Sequence, residues 1–158
     1  MAQCGVPIVA VIPAQPGDEP TLRQLLELYA YDFSERTRAD VADDGTFGWR
    51  FLERCWTEPD RHAFLFRVDG RLAGFALVRT GEPHDMAEFF VMRKYRRAGV
   101  GIEAARAVFA QFPGEWQTRE QWANEGAIAF WRRAIPVEFT ETAIDEGPIQ
   151  HFLIPRAD

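Results

Sequence analysis

Residues 86–112, MAEFFVMRKYRRAGVGIEAARAVFAQF, decide how the rest of the chain is read. The stretch opens as an apolar strand through Phe89, Phe90 and Val91. It then turns through Lys94-Tyr95-Arg96-Arg97-Ala98-Gly99-Val100-Gly101 and continues as a helix. Ile102, Ala105, Phe109 and Phe112 recur in that helix at helical spacing, with Val108 beside them. A glycine-containing turn that feeds a helix leaves backbone N–H groups unpaired at the positive end of the helix dipole. Such a place suits a phosphate or pyrophosphate.

Working outward, residues 6–13 predict a first strand, and Gln15-Pro16-Gly17 breaks it. Asp18 is placed to cap a helix with Pro20 in its first turn, and Leu22, Leu25, Leu26, Tyr29 and Phe33 follow with helical period. Residues 34–45 read as a polar loop, and a second helix is expected over about residues 46–57 with Phe47, Phe51 and Cys55 on one side. Asp69-Gly70 between HAFLFRV and RLAGFALVRT is a strong hairpin signal, with Gly74 marking a bulge in the second arm. Residues 81–85 make the turn into the opening strand. Beyond Pro113-Gly114, a polar strand is expected over 115–121. Asn124 can cap a helix running to Arg133, and a closing hairpin turns at Glu146-Gly147-Pro148.

The predicted order is therefore β-α-α-β-β-β-α-β-α-β-β. Its economical packing is a mixed α/β fold, a central sheet of six to seven strands flanked by about four helices. The 158 residues suggest one domain spanning 1–158. The net charge of −6 disfavours a nucleic-acid partner, which more often needs a basic face. No run approaches the about eighteen apolar residues of a membrane span, and the first residues lack the basic-then-apolar pattern, so no signal peptide is expected. Cys4, in an N-terminal segment read as mobile, and Cys55, read as a small core residue, show no framework spacing. A reducing, cytoplasmic location is expected.

With these elements in place, the chain resembles the GNAT acyl-CoA-dependent N-acetyltransferases. Two motifs carry the resemblance. One is R/Q-x-x-G-x-G/A, met as Arg96-Arg97-Ala98-Gly99-Val100-Gly101 after a strand. The other is N-x-x-A-x-x-F-[YW], met as Asn124, Ala127, Phe130 and Trp131. The resemblance implies a mostly antiparallel sheet and acetyl-CoA as cofactor, with its pyrophosphate on backbone amides from Arg97 to Gly101 and into Ile102. Glycine at 99 and 101 would remove β-carbons from that approach. It further implies that the strand backbone near Phe90, Val91 and Met92 pairs with the pantetheine arm, which requires this strand to splay from the next. Neither a dinucleotide fingerprint nor a P-loop is present.

Acetyl transfer needs a neutral amine, hence a base. Glu88 is the first candidate, against the plainer alternative of a glutamate on a solvated strand face. His84 is the second, in a loop beside Asp85. The oxyanion donor implied by the resemblance is the N–H of Val91 or Met92. Asn124 is expected to hydrogen-bond pantetheine, to cap its helix, or both. Trp131 stands where many family members carry a proton-donating tyrosine. The thiolate then leaves unprotonated, takes its proton from water or another tyrosine, or the protein is a non-catalytic acyl-CoA-binding or sensor domain. Tyr29, Tyr31, Asp32 and Phe33 form an aromatic and acidic cluster suited to a cationic amine, a pattern that a solvated loop beside a helix also produces. The expected partner is a small-molecule or peptide amine acceptor. A homodimer is compatible with this reading, and no membrane, nucleic acid or metal is called for.

Overall fold

The computed structural model describes residues 5–158, so Cys4 lies outside the described residues. Among the described residues seven strands form one sheet: β1 (Val9–Pro13), β2 (Arg61–Val68), β3 (Arg71–Arg79), β4 (His84–Val91), β5 (Gly114–Arg119), β6 (Phe139–Ala143) and β7 (Pro148–Ile154). Four helices accompany them: α1 (Glu19–Thr37), α2 (Arg54–Thr57), α3 (Val100–Gln111) and α4 (Glu125–Ala134). The sheet order is β1-β2-β3-β4-β5-β7-β6. Every neighbouring pair is antiparallel except β4 and β5, joined by α3 as a parallel crossover. The element order is the one the sequence predicts.

β2 and β3 are apolar nearly throughout because both of their faces are covered. Phe64, Phe66 and Val78 join Val108, Phe109 and Trp131 in one core, beneath α3 and α4. Ala63, Leu65, Phe75 and Leu77 face the other way and meet Leu22, Leu25 and Leu26 of α1. Each fully buried leucine contributes roughly 1.5–3 kcal/mol, so the apolar stripe of α1 is enough to hold that helix on the sheet. Asp69 and Gly70 adopt φ of 48° and 80°, the paired left-handed geometry of a two-residue hairpin, as the sequence predicts.

Gly74 matters for a reason beyond the bulge. The β2/β3 register does slip beside it, between Phe66 and Arg67. On its other side β4 runs so close that a Cβ on Gly74 would overlap the carbonyl oxygen of Phe90 and come within 3.1 Å of Val91 Cα. A second slip, between Leu77 and Val78, skips Ala87 and re-aims the residues after it: Glu88 and Phe90 turn toward α1, Phe89 and Val91 toward α3.

Three local expectations need correction. α1 continues through Thr37, three residues past the point where the polar loop was placed, and ends at Arg38 in the left-handed conformation. Asp18 does not cap α1 with its side chain; its carboxylate accepts from the N–H of Gln15 at 2.8 Å, closing the turn before the helix. The helix predicted over 46–57 is reduced to one turn at Arg54–Thr57. Phe51 has φ of 70°, which breaks the helical run, and is exposed, while Cys55 is half-buried against the α1 core. Glu27 of α1 imposes this by accepting the N–H groups of Phe47 and Gly48 at 2.7 and 2.9 Å, fixing the segment as a loop.

Candidate active site

The site is a gap in the sheet. β4 and β5 pair only at His84↔Trp116 and Asp85↔Gln117, and from Met86 onward they diverge. This is the splay that the resemblance required. It opens a cleft of about 500 Å³ through the sheet, lined from the α1 side by Tyr29, Phe33 and Glu88 and from the α4 side by Asn124, Ala127 and Trp131.

The open edge of β4 is read from its hydrogen bonds. The N–H of Met92 donates to Ala73 of β3 at 2.8 Å. Backbone groups alternate between the two edges of a strand, so those of Phe90 and Met92 face β3 while those of Phe89 and Val91 face the gap. This revises the expectation for this strand. Only Phe89 and Val91 present backbone to a ligand in the cleft, and Met92 is committed elsewhere. Arg96 already reaches this edge, with Nε donating to the Val91 carbonyl at 2.7 Å.

Beyond β4, a short 3-10 turn at Arg93–Tyr95 leads to Arg97 and Gly99, both left-handed at φ of 64° and 78°. The first helical bond of α3 is Glu103 N–H to Gly99 O at 3.1 Å, leaving the amides of Val100, Gly101 and Ile102 without helical acceptors. The two glycines serve different ends. A Cβ on Gly99 meets nothing, so glycine is needed there for its φ. A Cβ on Gly101 would lie 2.9 Å from Phe130 Cε2 and 3.7 Å from Val91 Cγ2, so that glycine lets α4 and β4 pack against α3. Ala98 is exposed in the turn and Val100 is buried in the core.

The arginines of the turn are partly committed. Arg96 Nη2 and Arg93 Nε reach Asp32 of α1 at 2.7 and 2.8 Å. The two guanidiniums hold the Asp32 carboxyl below its ordinary range against the opposing effect of burial. Asp32, grouped by sequence with the amine-binding residues, is therefore a clamp on the basic turn. The rest of that cluster divides by helical period. Tyr29 and Phe33, four apart, face the cleft, whereas Tyr31 is exposed on a separate groove beside Asp40 and Val41.

Glu88 projects into the cleft and accepts a hydrogen bond from the Tyr29 hydroxyl. Burial pushes its carboxyl above the usual range; Tyr29 opposes the shift and the charge of Asp85 adds to it. Burial and the neighbouring carboxylate raise the Tyr29 phenol as well, so it remains a donor. His84 is the first residue of β4 rather than a loop residue. It lies at the closed end of the β4/β5 pair, four residues before Glu88. The Gly81 N–H donates to its Nδ1 at 3.0 Å, its Nε2 is 3.1 Å from the Pro113 carbonyl, and its ring packs on Trp116.

Asn124 caps α4, its Oδ1 accepting from the Ala127 N–H at 3.2 Å, and the residue also lines the cleft. Trp131 is buried against Phe89, Phe109 and Phe130 and shows one edge to the cleft. Glu120, which sequence reasoning passed over, borders the same cleft and is buried. Its signal is the alternation Trp116-Thr118-Glu120, which continues the buried face of β5 to an acid just past the end of the strand. The described residues contain no group of three or more His, Cys, Asp or Glu side chains able to hold a metal, and no helix long and apolar enough to cross a membrane.

Comparison with known proteins agrees with this geometry. A model of the acetyltransferase (GNAT) family matches residues 21–135. No curated protein matches the chain. Among solved structures, an acetyltransferase from Thermus thermophilus superposes with a TM-score of 0.71 at 17% identity, covering 95% of this chain and 98% of that one. The PaiA N-acetyltransferase of Thermoplasma acidophilum, in complex with coenzyme A, gives 0.65 at 12% identity over 92% and 99%. The ribosomal-protein-S18-alanine N-acetyltransferase of Escherichia coli gives 0.62 at 15% identity over 96% and 97%.

Proposed function

We propose, since this chain belongs to the GNAT acetyltransferase family, that it transfers an acetyl group from acetyl-CoA to a primary amine by direct attack in a ternary complex. The observation that carries the reading is the β4/β5 gap, with the basic turn and its open amides beyond one end and a half-buried glutamate at its centre.

The residues fit coenzyme A. The amides of Val100, Gly101 and Ile102, with Arg97 and Lys94 nearby, suit the pyrophosphate. The edge of β4 at Phe89 and Val91, where Arg96 takes up only the Val91 carbonyl, suits the pantetheine amides, which add to β4 as a strand would. Asn124 and the edge of Trp131 border that path from the α4 side. The Val91 N–H, facing the gap, is the donor for the tetrahedral oxyanion. Tyr29 holds Glu88 in place, and the Glu88 carboxylate takes the amine proton directly or through water. Its raised proton affinity suits a base working near neutral pH. Tyr29 and Phe33 form the aromatic wall on the acceptor side.

The test is thiol release from acetyl-CoA across a panel of primary amines, alongside thermal shift with acetyl-CoA, CoA and NAD. Stabilisation by both CoA species and turnover with at least one amine are expected, with Glu88→Gln slowing turnover most at low pH. Stabilisation by NAD but not by CoA would refute the reading. Binding without turnover on any amine would leave an acyl-CoA-binding domain instead.

A further inference from the structure

Acetyl transfer as described leaves the proton of the departing sulfur unassigned, and one carboxyl in the cleft has no task. Glu120 directly follows β5. It is 8% exposed, and neither of its carboxyl oxygens has a hydrogen-bond partner. Strand alternation puts it on the face of Trp116 and Thr118, beneath α4, while Glu88 stands on the opposite face of the sheet.

The isolation of Glu120 has identifiable causes. The β6–β7 turn lies over it: a Cβ on Gly147 would overlap the Glu120 carbonyl oxygen. Trp122 fastens that turn, its Nε1 donating to the Ile144 carbonyl at 3.0 Å. The polar groups nearest Glu120 are bonded chiefly to one another, and only the second N–H of Gln150 Nε2 is left to favour its charge. Thr118 Oγ1 donates to Gln150 Oε1 at 2.7 Å, and Gln150 Nε2 donates to Glu141 Oε2 at 2.9 Å. Arg132 of α4 is held by Glu141 of β6 at 2.5 and 3.0 Å. The other ionisable groups around the cleft are Glu146 of the β6–β7 turn, Arg119 of β5, Glu88 of β4 and Tyr29 of α1. Burial pushes the Glu120 carboxyl up to about 7; Glu141 adds to the shift, and Gln150 and Arg132 oppose it. A buried carboxyl without a partner is costly to keep charged. Protonated, it is an uncommitted donor on a residue that lines the cleft.

The wall that carries Glu120 also carries Asn124 and Trp131. Trp131 occupies the place where the resemblance puts a proton-donating tyrosine, and an indole N–H does not release its proton to a thiolate. We propose that Glu120 is the general acid of the transfer, its carboxyl giving its proton to the sulfur as the carbon–sulfur bond breaks.

This role rests on the acetyl-transfer reading above. The amine nitrogen forms its bond to the carbonyl carbon, and the electron pair of the carbon–sulfur bond goes to sulfur, which takes the Glu120 proton. Glu88 holds the proton lost by the amine. Solvent then removes that proton from Glu88 and restores one to Glu120, so the products are the amide and the CoA thiol.

Two readouts test it. In Glu120→Gln, kcat should fall about a hundredfold or more, with the acetyl-CoA Kd unchanged at pH well below 7, where the wild-type carboxyl is already protonated before CoA binds. The alkaline limb of the wild-type kcat profile, set by loss of the Glu120 proton, should be absent. Glu120→Asp, which keeps the acid, should recover part of the rate and retain the limb. Independently of turnover, calorimetry of CoA binding near pH 7 in two buffers of different ionisation enthalpy should show proton uptake in the wild type, as the arm seals Glu120 further from water. Glu120→Gln should show none. A wild-type rate and pH profile in Glu120→Gln, or equal proton uptake in both proteins, would overturn the assignment. A wild type that turns over no amine would overturn the acetyl-transfer reading and the acid role with it. Glu120-dependent proton uptake would then still place that carboxyl beside the CoA arm.

Discussion

Glu120 also makes a claim about stability that needs no substrate. Its carboxyl moves from an ordinary 4.5 to about 7 on folding. The shift is upward, so between those values the folded protein binds more protons than the unfolded chain, and stability falls as pH rises through that window. Below about pH 4.5 the site costs nothing; above about pH 7 the full cost is present. At about 1.36 kcal/mol per pH unit, the shift taken in full would be roughly 3 kcal/mol, and screening by the solvent of the adjoining cleft reduces this to roughly 1–2 kcal/mol between pH 5 and pH 8. Glutamine at 120 removes the titration while keeping the shape, so the wild type should lose that amount relative to Glu120→Gln across the interval. For a chain of this size each kcal/mol moves Tm by about 2–4 °C, giving a change of roughly 2–8 °C in the Tm difference. Thermal denaturation followed by circular dichroism at pH 5, 6, 7 and 8 reads it directly. Other titrating groups, Glu88 included, are common to both proteins and cancel. A Tm difference that stays constant from pH 5 to pH 8 would show that Glu120 is solvated or paired, and the reasoning would fail.

Tyr29→Phe removes the hydrogen bond that holds Glu88 down against burial. The Glu88 carboxyl should rise further, and the acid limb of the kcat/KM profile should move to higher pH; an unmoved limb would separate Glu88 from the proton step. Gly74→Ala drives a Cβ into the Phe90 carbonyl and forces β3 from β4, at a cost of about 1–3 kcal/mol or more, measured as a lower urea midpoint. Asp32→Asn releases Arg93 and Arg96. These exposed, solvent-screened pairs should contribute little to stability. CoA affinity should rise at low salt, with the gain shrinking as salt is added, because a carboxylate beside the anion site is gone. Equal affinities by calorimetry at low salt would mean that the clamp does not compete with the phosphates.

Much of the fold was legible in the chain itself. The Asp69-Gly70 hairpin, the Asn124 cap, the left-handed glycine before α3 and the order of all eleven main elements follow from residues close to one another in sequence. The basic turn marked an anion site by the same local logic, and the resemblance of that turn and of the asparagine helix to the GNAT family implied coenzyme A as its occupant. Where local patterns misled, a distant contact had overruled them. The helix expected over 46–57 yields to Glu27, which claims the amides of Phe47 and Gly48 from some 20 residues away.

The site itself belongs to the tertiary structure. Tyr29 meets Glu88 across 59 residues, and Asp32 meets Arg96 across 64. Sequence could place Glu88 on a strand but could not tell a solvated face from a buried one. That was settled by the slip at Ala87 and by α1 lying over the sheet. Likewise, nothing adjacent to Glu120 marks it as unpaired. Its isolation arises because Gly147 lets the β6–β7 turn close over it while Gln150, Glu141 and Arg132 satisfy one another. Backbone conformation is set largely by near neighbours and is written along the chain. Proton affinity is set by desolvation and by charges brought close through folding, and these exist only once the β4/β5 gap has formed.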